Sequence, residues 1–230
     1  MPLRDLIRPT VRAIRWGGIV GASLPAAYVV WHFHNQPFPD AGASTFGLRA
    51  AAVMLAMGLA FVLDDPTEDT TGPAPVSILT RRALRIGLAL PPVLLLWLLL
   101  RAYAGGAVGE EGIPAWPLTM EFLTFCAAGL AGAAAGARVL SDRLGGLAGA
   151  GTIALSALVL AVFPWASGLL TRTAGTPQHD AATPWWWMLA VVSALAWWRM
   201  STPQGTRLVR LPRRSPPLAP TRPPLDPKRP

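Results

Sequence analysis

The stretch ALRIGLALPPVLLLWLLLRAY, residues 83–103, decides the fold. From Ile86 to Leu100 it has no charged side chain, and its length matches the roughly 20 apolar residues that an α-helix needs to cross a bilayer core. Arg85 and Arg101 lie near its two ends, where a guanidinium can snorkel to the headgroups. Upstream, similar runs occupy 16–33 and 46–63; downstream they occupy 118–139, 147–170 and 184–199. The pattern predicts an all-α membrane protein with six transmembrane helices in a domain covering 16–200. Arg49, in the second run, is also close enough to a span end to snorkel.

Composition agrees. Of 230 residues, 52% are hydrophobic and 14% charged, against roughly a quarter charged in soluble domains. A soluble globular enzyme is thereby excluded. Cys126 is the single cysteine and falls inside a span, so neither an intramolecular disulfide nor a Cys-rich metal site can form. The first apolar run follows basic residues, as in a signal peptide, but exceeds the usual signal core and is read as an uncleaved first span.

Charge placement sets the orientation. With the N-terminus inside, 17 of the 20 Lys and Arg residues fall on the inner side: Arg4, Arg8, Arg12, Arg15, Arg81, Arg82, Arg85, Arg138, Arg143, Arg199, Arg207, Arg210, Arg213, Arg214, Arg222, Lys228 and Arg229. Arg49, Arg101 and Arg172 fall outside. Basic residues collect on the cytoplasmic side of membrane proteins, so both termini are expected in the cytoplasm of a cell-membrane protein. Tryptophans mark the edges: Trp16, Trp197 and Trp198 the inner one, Trp31, Trp116, Trp165 and Trp185 to Trp187 the outer.

Residues 1–15 place Leu3, Leu6, Ile7, Val11 and Ile14 on one helical face and Arg4, Arg8, Arg12 and Arg15 on another, the pattern of a basic amphipathic helix in the interface, interrupted at Pro9. Residues 201–230 are rich in Pro and Arg without apolar periodicity and are expected to be a disordered cytoplasmic tail, able to touch anionic lipid. Gly132 and Gly136, then Gly145 and Gly149, repeat the GxxxG spacing on either side of the turn Ser141-Asp142-Arg143. Small residues four apart let backbones approach, so a tight helical hairpin is expected.

The most polar segment between spans is Asp64-Asp65-Pro66-Thr67-Glu68-Asp69, on the cytoplasmic side. Asp65 suits an N-cap, Pro66 the first helical position and Glu68 the third position of a capping box, which gives a short surface helix ended by Gly72 and Pro73. Arg81, Arg82 and Arg85 share a face at the entry to the third span. Inside the membrane, Glu121 and Arg101 approach the outer boundary from successive spans and could pair, lining a path or a gate, or could each snorkel.

At this loop the chain resembles the membrane subunit of an ABC transporter, particularly the six-span exporter permeases of the ABC-2 type. Such permeases have a basic interfacial helix, six spans with both ends inside, and a short coupling helix between spans two and three; the matching pieces here are 3–15, the six runs and 66–71. Pro9 within the interfacial helix and the short outer loop 171–183 depart from that pattern. The resemblance implies a permease subunit, dimeric or paired with a second membrane subunit, whose loop 64–85 docks on a separate nucleotide-binding ATPase subunit through Asp64, Asp65, Pro66, Glu68, Asp69, Arg81, Arg82 and Arg85. The chain itself has no GxxxxGK[ST] loop.

Other chemistry finds less support. A non-catalytic membrane scaffold or assembly protein fits the same six runs. The acidic cluster loosely resembles the aspartate-rich diphosphate motif of prenyl-transferring enzymes, which hold Mg²⁺ with hard oxygens, but no second cluster accompanies it. His32, His34 and His179 lie towards the outside near Asp40 and Asp180 without a zinc-ligand spacing. HExxH, GxSxG and Cys-His signatures are missing, and Ala115 stands where an intramembrane protease of the CAAX type would have its arginine after Glu110-Glu111. No enzyme, cofactor, metal or nucleic-acid role is expected.

Overall fold

The structure is a computed structural model that describes residues 7, 10–37, 40–64, 78–108, 113, 115–139, 144–162 and 177–202. Among these residues the regular structure is helical. After a helical turn at 10–13, the long helices in chain order are α1 (Trp16–His34), α2 (Ala41–Ala60), α3 (Ile78–Val108), α4 (Ala115–Val139), α5 (Gly145–Val162) and α6 (Pro177–Ser201). A 3₁₀ turn, Phe61–Leu63, extends α2. Most of the interfacial segment 1–9, the acidic stretch 65–77, the span end 163–170 and the tail from 203 lie outside the described residues, and with them the expected surface helix of Asp65, Pro66, Glu68 and Asp69.

Among the described residues, four segments, Ala41–Leu63, Leu79–Gly106, Trp116–Val139 and Gly145–Val162, are long and apolar enough to cross a bilayer. Several helices start earlier than the apolar runs suggested. Asp40 accepts a hydrogen bond from the Ala43 amide at 2.6 Å and so caps α2 five residues before Phe46. Similarly, α6 begins at Pro177, inside what read as an outer loop.

Contacts at the helix ends fix the direction of each helix. The Asn35 amide, just after α1, donates to the Tyr103 hydroxyl near the end of α3 at 3.2 Å. On the opposite face, Asp64 at the end of α2 meets the Gly146 amide at the start of α5 and, at 3.9 Å, Arg15 just before α1. There too, Arg138 near the end of α4 donates to the Arg199 carbonyl at the end of α6 and to that of Thr202. Helices α1, α3 and α5 therefore run one way and α2, α4 and α6 the other. Arg15, Arg82, Arg85, Arg138 and Arg199 all belong to the second face, which we call the Arg-rich face.

Helix α2 is the centre. It contacts α1, α3, α4 and α5, and buries 11 residues, whereas α1 buries three. Small side chains make that crowding possible: Gly47, Ala51, Ala52, Ala56, Gly58 and Ala60 all face neighbours. A Cβ on Gly58 would lie 2.6 Å from the Ala22 methyl and 2.9 Å from the Gly18 carbonyl of α1. Between α4 and α5, a Cβ on Gly149 would stand 2.5 Å from the Gly129 carbonyl, and one on Gly145 2.9 Å from that of Ala133; Gly132 and Gly136 face Thr152 and Ala148 as closely. The four glycines singled out by spacing thus line one helix crossing.

The outer surface is apolar. Val20, Leu24, Tyr28 and Trp31 project from α1, Leu95, Leu98 and Leu99 from α3, Leu155, Leu158 and Val162 from α5, and Val191, Val192 and Leu195 from α6. Contiguous surfaces of this kind are untenable in water and ordinary in lipid.

Candidate functional site

Asp40 fixes where α2 begins, and that start sets the depth of Arg49. Eight residues into the helix, Arg49 lies about 12 Å from its end at 1.5 Å per residue, and Glu121, six residues into α4, lies about 9 Å in. The parallel helices bring the two side chains level. Arg49 Nε donates to Glu121 Oε2 at 2.8 Å and Nη2 donates to Oε1 at 2.9 Å, the forked geometry in which guanidinium and carboxylate match best. Glu121 is 1% exposed and Arg49 18%. An ion pair this deep is the default candidate for function in a membrane domain.

The sequence leaves Glu121 and Arg101 either pairing or each snorkelling, and lets Arg49 snorkel to the headgroups. Both oxygens of Glu121 are held by Arg49, while Arg101 is half-buried on α3. The missed signal was the Asp40 cap: with α2 starting at Ala41, Arg49 sits in its third turn rather than its first.

The surroundings are aromatic and hydroxylated. Trp97 of α3 is fully buried, stacks on Phe122 with ring centroids 4.9 Å apart and an interplanar angle of 14°, and donates Nε1 to Thr119 at 3.4 Å. Thr124 returns its hydroxyl to the Met120 carbonyl and reaches the Trp186 carbonyl of α6. Thr45, one turn towards the N-terminus of α2 from Arg49, is buried and its hydroxyl has no hydrogen-bond partner.

A second polar junction lies on the Arg-rich face. Asp64 is 3% exposed, and its Oδ1 accepts from the Gly146 amide at 2.5 Å. A carboxylate here meets the unpaired amides and positive end of α5. Gly146 is required by space, because a Cβ would come 2.8 Å from both Asp64 Oδ2 and Phe61 Cα. Burial pushes the Asp64 carboxyl above its usual range, opposed by the Gly146 amide and by Arg15. Asp64 therefore points into the fold. Arg82 and Arg85, read as a headgroup or docking face, are buried at the start of α3, and Arg81 is half-buried.

On the opposite face, His34 stacks on Tyr103 with centroids 4.0 Å apart, while His32 is exposed. The side chain of His179 lies outside the described residues. Among the described residues no group of three His, Cys, Asp or Glu side chains is placed to hold a metal. Comparison with protein-family models, curated proteins and solved structures finds no match to this chain.

Proposed function

We propose that the chain is the six-span permease subunit of an ABC-type transport system in the cell membrane, both termini cytoplasmic, driven by a separate ATPase subunit and working as a dimer or with a second membrane subunit. The observation that carries this reading is the anchoring of Asp64. The root of the 65–77 segment is tied at once to α2, to the start of α5 and to Arg15, so a force applied to that segment reaches three parts of the bundle directly. The alternating helix directions and the apolar outward faces of α1 and α6 support six crossings, and the arginines around the junction support a cytoplasmic location for it.

Asp64 is occupied within the fold, which leaves Asp65, Glu68 and Asp69 as the docking carboxylates. Purifying the tagged chain from its native membrane should bring down an ATPase, and replacing those three residues with Ala should abolish its recovery. Absence of an ATPase, or recovery indifferent to the substitutions, refutes the reading. A scaffold built on the same helices draws support from the glycine interlock of α4 and α5, which resists relative motion. ATP-driven transport by vesicles holding both chains separates the two.

A further inference from the structure

Helix α2 is covered on most sides, but one strip faces outward. Gly42 and Phe46 are exposed there, Phe46 by 62%, and Arg49, Ala50 and Val53 continue it at helical spacing with partial exposure. The strip opens sideways from an otherwise apolar surface, yet it carries a guanidinium. Arg49 already holds a carboxylate, that of Glu121, in forked geometry. Thr45, adjacent to Arg49 across one turn, buries a hydroxyl with no hydrogen-bond partner.

We propose that this strip is a lateral binding site for a fatty carboxylate entering from the bilayer, its head group on Arg49 and Thr45 and its chain along Phe46. Three observations carry it. The Arg49 side chain is 18% exposed on a strip where a lipid chain would lie; its guanidinium has the geometry for a carboxylate, shown by the one it holds; and the buried Thr45 hydroxyl, without a hydrogen-bond partner, is a further donor one turn away. Glu121 competes for the same cation, so the ligand binds against a neighbouring negative charge, and neutralising Glu121 should strengthen binding. As a statement about binding the inference stands apart from the permease reading; only its extension, that acidic amphiphiles are the cargo, rests on that reading.

The test uses the full chain in nanodiscs of neutral lipid, without any ATPase, and a fluorescent anthroyloxy-stearate as probe. Saturable binding is expected for the wild type, tightened about tenfold by Glu121→Gln, in line with removal of a charge interaction of about 1.4 kcal/mol. Thr45→Val should weaken it several-fold. The double variant Arg49→Gln/Glu121→Gln, which leaves no orphaned charge and is checked for folding by the inaccessibility of Cys126, should lose it. The methyl ester of the probe and free acetate distinguish an anchored amphiphile from simple partition and from a free anion: neither should compete. Equal binding of acid and ester, displacement by acetate alone, or undiminished binding to the folded double variant overturns the proposal. Failure to recover an ATPase leaves this result untouched.

Discussion

Removing Arg49 alone should harm the fold more than removing Arg49 and Glu121 together. In Arg49→Gln the Glu121 carboxylate, 1% exposed, keeps its charge without its cation, and breaking a buried pair from one side typically costs about 3–5 kcal/mol. Glu121→Gln should cost less, about 2 kcal/mol, since the 18% exposure of Arg49 lets the guanidinium relax outward. The double variant Arg49→Gln/Glu121→Gln has no charge left to bury and should fall within about 1 kcal/mol of the wild type. The cycle therefore predicts a coupling of about 5 kcal/mol.

Cys126 supplies the assay. It is the single cysteine and is buried on α4, so a fluorogenic maleimide reacts with it only when the packing around α4 opens on heating. At roughly 2–4 °C per kcal/mol for a chain of this size, Arg49→Gln should lower the midpoint by roughly 10 °C at pH 7. Additive single-variant effects refute the claim that this pair is a desolvated unit.

Gly149→Ala must push a methyl against the Gly129 carbonyl and should cost about 1–3 kcal/mol in the same assay, whereas Gly151→Ala, with open space around it, should be neutral or stabilising by up to about 1 kcal/mol. Asp64 titrates with a definite sign. Its folded carboxyl keeps its proton above the ordinary 3.8, so the folded state holds the extra proton through that window, and stability falls as pH rises from 3.8 through the folded value. Asp64→Asn keeps an acceptor for the Gly146 amide without the titration, so its midpoint relative to wild type should be higher at pH 7 than at pH 4; an equal or lower value contradicts the burial argument. Finally, in a Cys126→Ala background, a cysteine at position 110 should label from outside intact cells and one at position 67 should not; the reverse pattern inverts the topology.

Runs of apolar residues made the helices themselves legible, because a crossing of lipid requires an unbroken hydrogen-bonded backbone and a long apolar surface. The glycine spacing made the α4–α5 contact legible, since Gly132, Gly136, Gly145 and Gly149 are close in sequence and the motif is local. The partners of the charges were not. Arg49 and Glu121 are 72 residues apart, Asp64 and Gly146 are 82 apart, and no local pattern couples them. In each case the hidden information was a helix boundary: the Asp40 cap lowers Arg49 into the bundle, and the start of α5 at Gly145 presents the amide that Asp64 needs.

The two polar junctions sit at opposite ends of one helix. From Arg49 to Asp64 is 15 residues, about 22 Å of rise against a hydrocarbon core of roughly 30 Å. Between them α2 buries apolar groups, Ala51, Ala52, Leu55, Ala56, Gly58, Leu59 and Ala60, so close packing holds it there. Whatever moves α2 must therefore act at an end. At the Arg-rich face that end is an accepted amide and a guanidinium 3.9 Å away; at the other it is a forked ion pair in a drier place. The first junction is the weaker, and it is the one adjoining the 65–77 segment, so a pull from that segment releases α5 and Arg15 while α2 and α4 still move as one. A disulfide-free test of that order is amide exchange. Under mild destabilisation the Gly146 amide should exchange before the amides around Glu121, and exchange in the opposite order would mean that the bundle opens first from the face bearing Arg49.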